Sequence, residues 1–245
     1  MKTNMFAASA VLIMLAACGG GGAGNVDMVP TSPPQTGAPT PSAPAPSAPG
    51  QPTSPSQPDA QPVKPAPTAD ALQARLSDAA TARKTVSALS STPVANVPVS
   101  GSATFSGPAL LKVSRGSASY FIVGDSRLNL NFGSRQMSGG ITNMQGRRGN
   151  GTTFSAPGRI TYDTGAIRTG QNVFTLGYDG SLSAGNDRIA LDGTAVGGIL
   201  GPNGSAIQAL DGTPGTDIVK GSIPNMTVQL NGQPAVGELL IIGQK

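Results

Sequence analysis

The chain has 245 residues, with 34 glycines, 22 prolines, no tryptophan, no histidine, only 11% charged residues and a formal net charge of +4. Such a composition excludes a predominantly helical protein, and the missing histidine excludes a Ser-His-Asp or Cys-His arrangement and the usual proton shuttle at neutral pH. A single cysteine excludes an intrachain disulfide, so any fold must rest on its own core.

Residues 1–17 read as an export signal: Lys2 precedes the apolar run Phe6 to Leu15, and small residues follow as Leu15-Ala16-Ala17-Cys18. The apolar run is too short for a membrane-spanning helix, which needs about 20 such residues. Leu-Ala-Ala-Cys resembles the lipobox of bacterial lipoproteins, in which the signal is cut before the cysteine and the cysteine is acylated. That resemblance makes Cys18 the lipidation site and the start of the mature chain. Its partners are then the membrane, reached through the lipid anchor, and the machinery of lipoprotein maturation and export. Several acyl chains, at about 0.8 kcal/mol per buried methylene, anchor durably where one does not.

Residues 18–67 begin with a glycine run and continue as a Pro/Ala/Ser/Thr/Gln segment with proline every two to four residues. Such a segment cannot bury a core, and the expectation is a disordered, extended tether. At about 3.1 Å per residue, Pro30 to Pro67 would reach on the order of 100 Å.

Residues 68–92 carry the one helical pattern. Leu72, Leu76, Ala79, Ala82, Val86 and Leu89 recur at steps of three and four, Thr68 is placed to cap the start, and Pro93 lies beyond the end. The stripe is narrow and the sequence marginal as a lone helix, so it is expected to dock on the following domain or to pair with a partner helix.

From residue 93 to 245 the pattern changes to short alternating runs. Leu128, Leu130 and Phe132 share one strand face, with Asn129 and Asn131 on the other. Phe174, Leu176 and Tyr178 repeat this, as do Ile189 with Leu191, and Met226, Val228 and Leu230, the last followed by the hairpin signal Asn231-Gly232. Further turns are expected at Asn150-Gly151, Asp179-Gly180, Asp192-Gly193, Asn203-Gly204 and Asp211-Gly212. The fold class is all-β: a single antiparallel β-barrel of about eight strands, closed so that no glycine-rich edge is exposed, preceded by the short helix and the Pro-rich stalk. A membrane-spanning barrel is disfavoured by too few aromatics for two girdles. A fragment starting near Pro93 is expected to fold alone.

Several segments carry a resemblance. Gly101-Ser102-Ala103-Thr104-Phe105-Ser106-Gly107, Leu128 to Gly133, Met137-Ser138-Gly139-Gly140-Ile141-Thr142-Asn143, Gly197 to Gly204 and Glu238 to Lys245 follow in the order of the barrel motifs of transferrin-binding-protein-B-like surface lipoproteins. The chain resembles that family, of the Slam-dependent surface lipoprotein type, over most of residues 99–245. It departs at Ile199-Leu200, where an aromatic is usual, in the region after Asn203, and in having one barrel where the transferrin receptors have two lobes. The resemblance implies an outer-membrane, surface-exposed lipoprotein that binds a protein or small nutrient ligand, as in iron- or haem-related uptake. Transferrin itself is not carried over. Gly19 after the cysteine agrees with outer-membrane sorting.

Chemistry is otherwise sparse. Zinc or haem iron would lack both imidazole and a free thiolate, so no metal and no cofactor is expected beyond the covalent lipid on Cys18. Asp179, Asp187 and Asp192 lie close in sequence, but the Asp-Gly steps read as turns in which the carboxylate bonds its own backbone. The expectation is a protein that is not an enzyme. Gly146-Arg147-Arg148-Gly149-Asn150-Gly151 lacks the Lys-Ser/Thr of a phosphate loop and reads as a long exposed hairpin loop. Arg147 and Arg148 are the candidate ligand-binding residues, for an acidic ligand. With no basic stripe interleaved with aromatics, nucleic acid is not an expected partner. The alternative function is a structural or assembly lipoprotein of the envelope, with helix and stalk holding a partner.

Overall fold

The structure, a computed structural model, describes residues 65–214 and 225–245; the expected signal peptide, Cys18 and the tether up to residue 64 lie outside the described residues. The helical stripe forms α1, Ala69–Ser87, with the Thr68 side chain accepting a hydrogen bond from the Ala71 N–H at 3.2 Å. A 3-10 turn, Val94–Asn96, follows.

Ten strands come next: β1 Ser102–Arg115, β2 Ala118–Asn131, β3 Gln136–Arg148, β4 Thr153–Ser155, β5 Gly158–Ile167, β6 Val173–Ala184, β7 Asp187–Leu200, β8 Ala206–Gly212, β9 Thr227–Leu230 and β10 Gln233–Gln244. Every pairing is antiparallel, consecutive strands are paired except β4 with β5 and β8 with β9, and β10 pairs with β1 from Ser106↔Gln244 to Ser114↔Val236, which closes the sheet. Two strand positions are split. β4 and β5 share β3 as a partner, and β8 and β9 lie along both β7 and β10, so ten strands make an eight-strand meander barrel.

Alternation decides which side chains go inside. Leu128, Leu130 and Phe132 are buried in the barrel core with Phe174, Leu176 and Tyr178 from β6, Ile189 and Leu191 from β7, and Met226, Val228 and Leu230 around β9. Asn129 and Asn131 face outward. Eight strands leave an interior just wide enough to be filled by side chains, and here glycine makes the room. Phe174 stands directly opposite Gly197 and Tyr178 opposite Gly193 across the β6–β7 ladder. A Cβ on Gly197 would meet the Phe174 ring at 2.3 Å, and one on Gly193 the Tyr178 hydroxyl at 2.5 Å.

The expected turns divide into two groups. Asn231-Gly232 has φ of 53° and 75°, and Asn203-Gly204 has 52° and 64°, the left-handed pair of tight turns; Asn150-Gly151 also lies in a turn. Asp179-Gly180, Asp192-Gly193 and Asp211-Gly212, expected as turns, instead lie within β6, β7 and β8. Their glycines serve close packing: a Cβ on Gly180 would lie 2.5 Å from the Arg159 carbonyl oxygen.

The helix docks on the outside of the barrel. Leu72 and Ala79 pack with Val123, while Val86 packs with Ala206, Leu240 and Ile242; Leu110 joins both groups. Both faces of β10 from Leu239 to Gly243 are consequently buried. The chain is fastened at each end of α1. Ser155 Oγ donates to the Pro65 carbonyl at 2.7 Å and Thr153 Oγ1 to the Pro67 carbonyl at 2.8 Å. Past the helix, buried Thr92 donates from N to Ile199 O at 3.0 Å and from Oγ1 to Gly201 O at 2.6 Å.

Candidate binding surfaces

The barrel has two unlike ends. At the first, the strands are joined by short turns at 116–117, 149–152, 185–186 and 231–232. Tyr120 and Phe154 meet edge to face there, with ring centroids 6.1 Å apart. Tyr120 Oη donates to Asp187 Oδ2 at 2.7 Å, Arg148 to the same oxygen at 2.8 Å and to Ala184 O at 2.9 Å, and Asn231 Nδ2 to Asp187 Oδ1 at 2.9 Å. Hydrogen bonds from Asn231 and Tyr120 hold the Asp187 carboxyl below its ordinary value, with Arg148 adding to the effect. The Tyr120 phenol is raised, first by burial and then by Asp187.

This places the two candidate arginines. Arg147 and Arg148 are not on a long exposed loop: they are the last residues of β3, and the turn proper is confined to 149–152. Adjacent strand residues point to opposite faces, so Arg148 is tied into the Asp187 cluster, while exposed Arg147 lies over the outward ring of Phe121 at 5.7 Å. The loop expectation fails because Gly146 answers a packing need: a Cβ there would meet Phe121 O at 2.6 Å and the Phe154 ring at 2.7 Å.

At the second end the connections are longer: 132–135, 168–172 and 201–205, together with the segment 93–101 that crosses the mouth. These connections contain Arg135 and Arg168 and no acidic residue. Lys245 lies beside them, its Nζ over the Phe105 and Phe132 rings at 5.6 and 5.7 Å and donating to Asn203 O at 3.0 Å. Val94 and Val99 are exposed here, at 49% and 84%. A small depression of about 220 Å³ lies between Val97, Pro98, Phe132 and Arg168.

Near that end an open groove of about 880 Å³ crosses the outer wall from β2 to β7. Its lining includes Asn129, Asn131, Ser138, Thr175 and Thr194. Two amides are held in place: Asn129 Oδ1 accepts from Thr104 Oγ1 at 2.9 Å and Asn131 Oδ1 from Ser134 N at 3.0 Å. Sequence reasoning assigned these asparagines to the outer face and read no site there, because a groove depends on sheet twist and not on local pattern.

The aspartates do not gather into a reaction centre. Asp179 and Asp192 are direct cross-strand neighbours facing outward, Asp187 is held in the Arg148 cluster, and Asp211 is buried in the barrel. Asp211 accepts from Tyr178 Oη at 2.8 Å, Thr194 N at 3.1 Å, Gly212 N at 2.8 Å and Asn225 N at 3.3 Å. It thereby satisfies the backbone where β8 leaves the ladder. Among the described residues no group of three or more His, Cys, Asp or Glu is placed to hold a metal ion.

No protein-family model matches the chain, and no curated protein matches it. It is similar to solved structures of transferrin-binding protein B, the proteins whose barrel motifs the sequence resembles. The intact Ap-TbpB, with N and C lobes, is 14% identical with a TM-score of 0.41, matching 63% of this chain and 28% of that one. Two mutant forms from Haemophilus parasuis, described as a vaccine antigen, are 15% and 18% identical with TM-scores of 0.39 and 0.40; each matches 63% of this chain, and 27% and 28% of theirs. The chain thus spans less than a third of the length of these structures.

Proposed function

We propose that this chain is a binding module carried on a lipid anchor at Cys18 and displayed at the outer face of the outer membrane, where it takes a protein or a small nutrient ligand such as an iron carrier. The observation that carries the reading is the polarity of the barrel. The described chain begins beside β4, held by the bonds from Ser155 and Thr153 to the Pro65 and Pro67 carbonyls. The longer connections, with Arg135, Arg168 and Lys245, lie at the opposite end of the barrel from the short turns. Loops on a rigid scaffold are where binding residues are commonly placed, and cations without acids there favour an acidic ligand.

Among the described residues the barrel interior is packed with apolar side chains, Phe174 and Tyr178 standing opposite Gly197 and Gly193. The aspartates are engaged in structural hydrogen bonds or stand apart on the surface, which supports binding without catalysis. The alternative, a structural or assembly lipoprotein whose helix and stalk hold a partner, is less favoured because α1 packs its apolar stripe on the barrel wall.

The reading is tested by immobilising the full chain and exposing it to host and medium components, in parallel with an Arg168→Glu variant. The expected result is a saturable ligand whose capture is weakened by Arg168→Glu and by raised salt. Capture of nothing saturable, or equal capture by both forms at all salt concentrations, contradicts it.

A further inference from the structure

The wall that carries α1 has more apolar surface than the helix covers. Across the strands, Val123, Leu110, Leu240 and Leu210 stand in one lateral row, each paired directly with the next. The adjacent row runs Arg147, Phe121, Lys112, Glu238 in the same manner. α1 lies against the first row and leaves a groove of about 530 Å³ beside it, floored by Leu110, Leu210 and Leu240 and walled by Leu76 of the helix. Phe121, 37% exposed, forms its outer rim.

The charges around this groove are of one net sign. Lys112 and Glu238 face each other at 4.0 Å and offset one another. Arg83, on the helix side, is exposed and makes no hydrogen bond or ion pair among the described residues. Arg147, over the Phe121 ring at 5.7 Å, extends the positive rim. No described carboxylate pairs with either arginine, whereas Arg75, further along the same helix, is spent on Asp125.

We propose that this groove is a binding site for a single-chain anionic amphiphile, a molecule with one acyl chain and an acidic head. The chain lies along the three leucines against Leu76, and the head meets Arg83 at the rim. Pockets for small ligands measure about 300–1,000 Å³, are mostly apolar, and carry a few placed polar groups. The groove fits that description, whereas an amphipathic partner helix would need anchors over several turns along an open channel. Each buried methylene tightens binding about fourfold, so a chain of modest length suffices for micromolar binding.

This names a ligand class for the small-ligand branch of the proposed function and rests on that reading only for its biological use. The test is made on purified protein, so its failure leaves surface display untouched. The probe is dansyl-undecanoic acid, titrated into the full chain carrying Cys18→Ser so that no covalent lipid competes. The expected result is a saturable rise and blue shift of dansyl fluorescence. Arg83→Glu should weaken binding about fivefold or more without moving the melting temperature, and should not affect the methyl ester of the probe. Leu210→Trp, which fills the groove, should abolish the response; the melting curve reports whether that variant folds, and Arg83→Glu stands independently of it. Absence of a saturable response, or a response equal in wild type and Arg83→Glu with both acid and ester, overturns the proposal. So does a dimer in sedimentation that Leu210→Trp dissociates, which would assign the groove to a second copy.

Discussion

At the residue scale, hydrogen-bonded carboxylates and phenols set how this barrel responds to pH and substitution. Asp211 accepts four hydrogen bonds inside the barrel, and Asp211→Ala removes the acceptor of Tyr178 Oη, Gly212 N and Asn225 N, while Thr194 N keeps Asn225 Oδ1 at 2.8 Å. Each buried unsatisfied group costs about 1–3 kcal/mol, so the loss should exceed roughly 3 kcal/mol in denaturant unfolding. Arg148→Ala should lower the melting temperature by releasing Asp187 and Ala184 O, at about 1–3 kcal/mol for hydrogen bonds to charged groups. Arg147→Ala should leave it unchanged, so the two candidate ligand residues separate by a thermal melt. Asp187, whose carboxyl is held below its ordinary value, contributes stability above the usual carboxylate range and loses it as pH falls through the depressed value. Burial raises the phenols of Tyr162 and Tyr178, so their contribution is complete below about pH 10 and is lost as pH rises beyond. With no histidine, melting temperature should be flat from about pH 5 to 9 and fall on both sides; a midpoint step near neutrality would refute this. The alternating residues were legible in the sequence, and Phe132, buried as expected, should cost about 3–5 kcal/mol on truncation to alanine. Asp-Gly steps were not legible, since a glycine that admits a facing aromatic ring or a close backbone looks locally the same as one that makes a turn.

At the scale of elements, α1 is part of the barrel's packing. Its stripe was readable from spacing and its cap from Thr68, but its acceptor surface was not. That surface, Val123, Leu110, Leu240 and Ile242, joins the β1–β2 hairpin to β10, far away in sequence, and only the closed ladder brings them together. Leu72→Ala should cost about 2–5 kcal/mol, the usual range for emptying a buried leucine site. A fragment beginning at Pro93 loses the helix and the Thr92 clamp and exposes that row. It should melt below a chain beginning at residue 65 and bind a hydrophobic dye; equal melting temperatures would mean that the helix adds nothing. The split of two strand positions was equally hidden. Pro157 ends β4 pairing by lacking an N–H, a local signal in sequence, whereas the β8 break depends on Asp211 reaching Thr194 and Asn225 across the ladder.

At the scale of the whole molecule, the closed barrel has one end of short turns and one of longer connections; under the proposed function, a Pro-rich segment able to reach on the order of 100 Å would hold the barrel clear of the membrane. The barrel class followed from the strand pattern alone, while the polarity of its ends required coordinates. Lipidation rests on the thiol, so Cys18→Ser should lose metabolic label from a fatty-acid analogue, and label retained on the variant would refute the anchor. Display of the binding barrel at the cell surface is the central claim, and protease treatment of intact cells tests it most directly. The account predicts that barrel epitopes are lost from intact wild-type cells while a periplasmic marker survives. Complete protection of the barrel on intact cells, with digestion only after lysis, would contradict it.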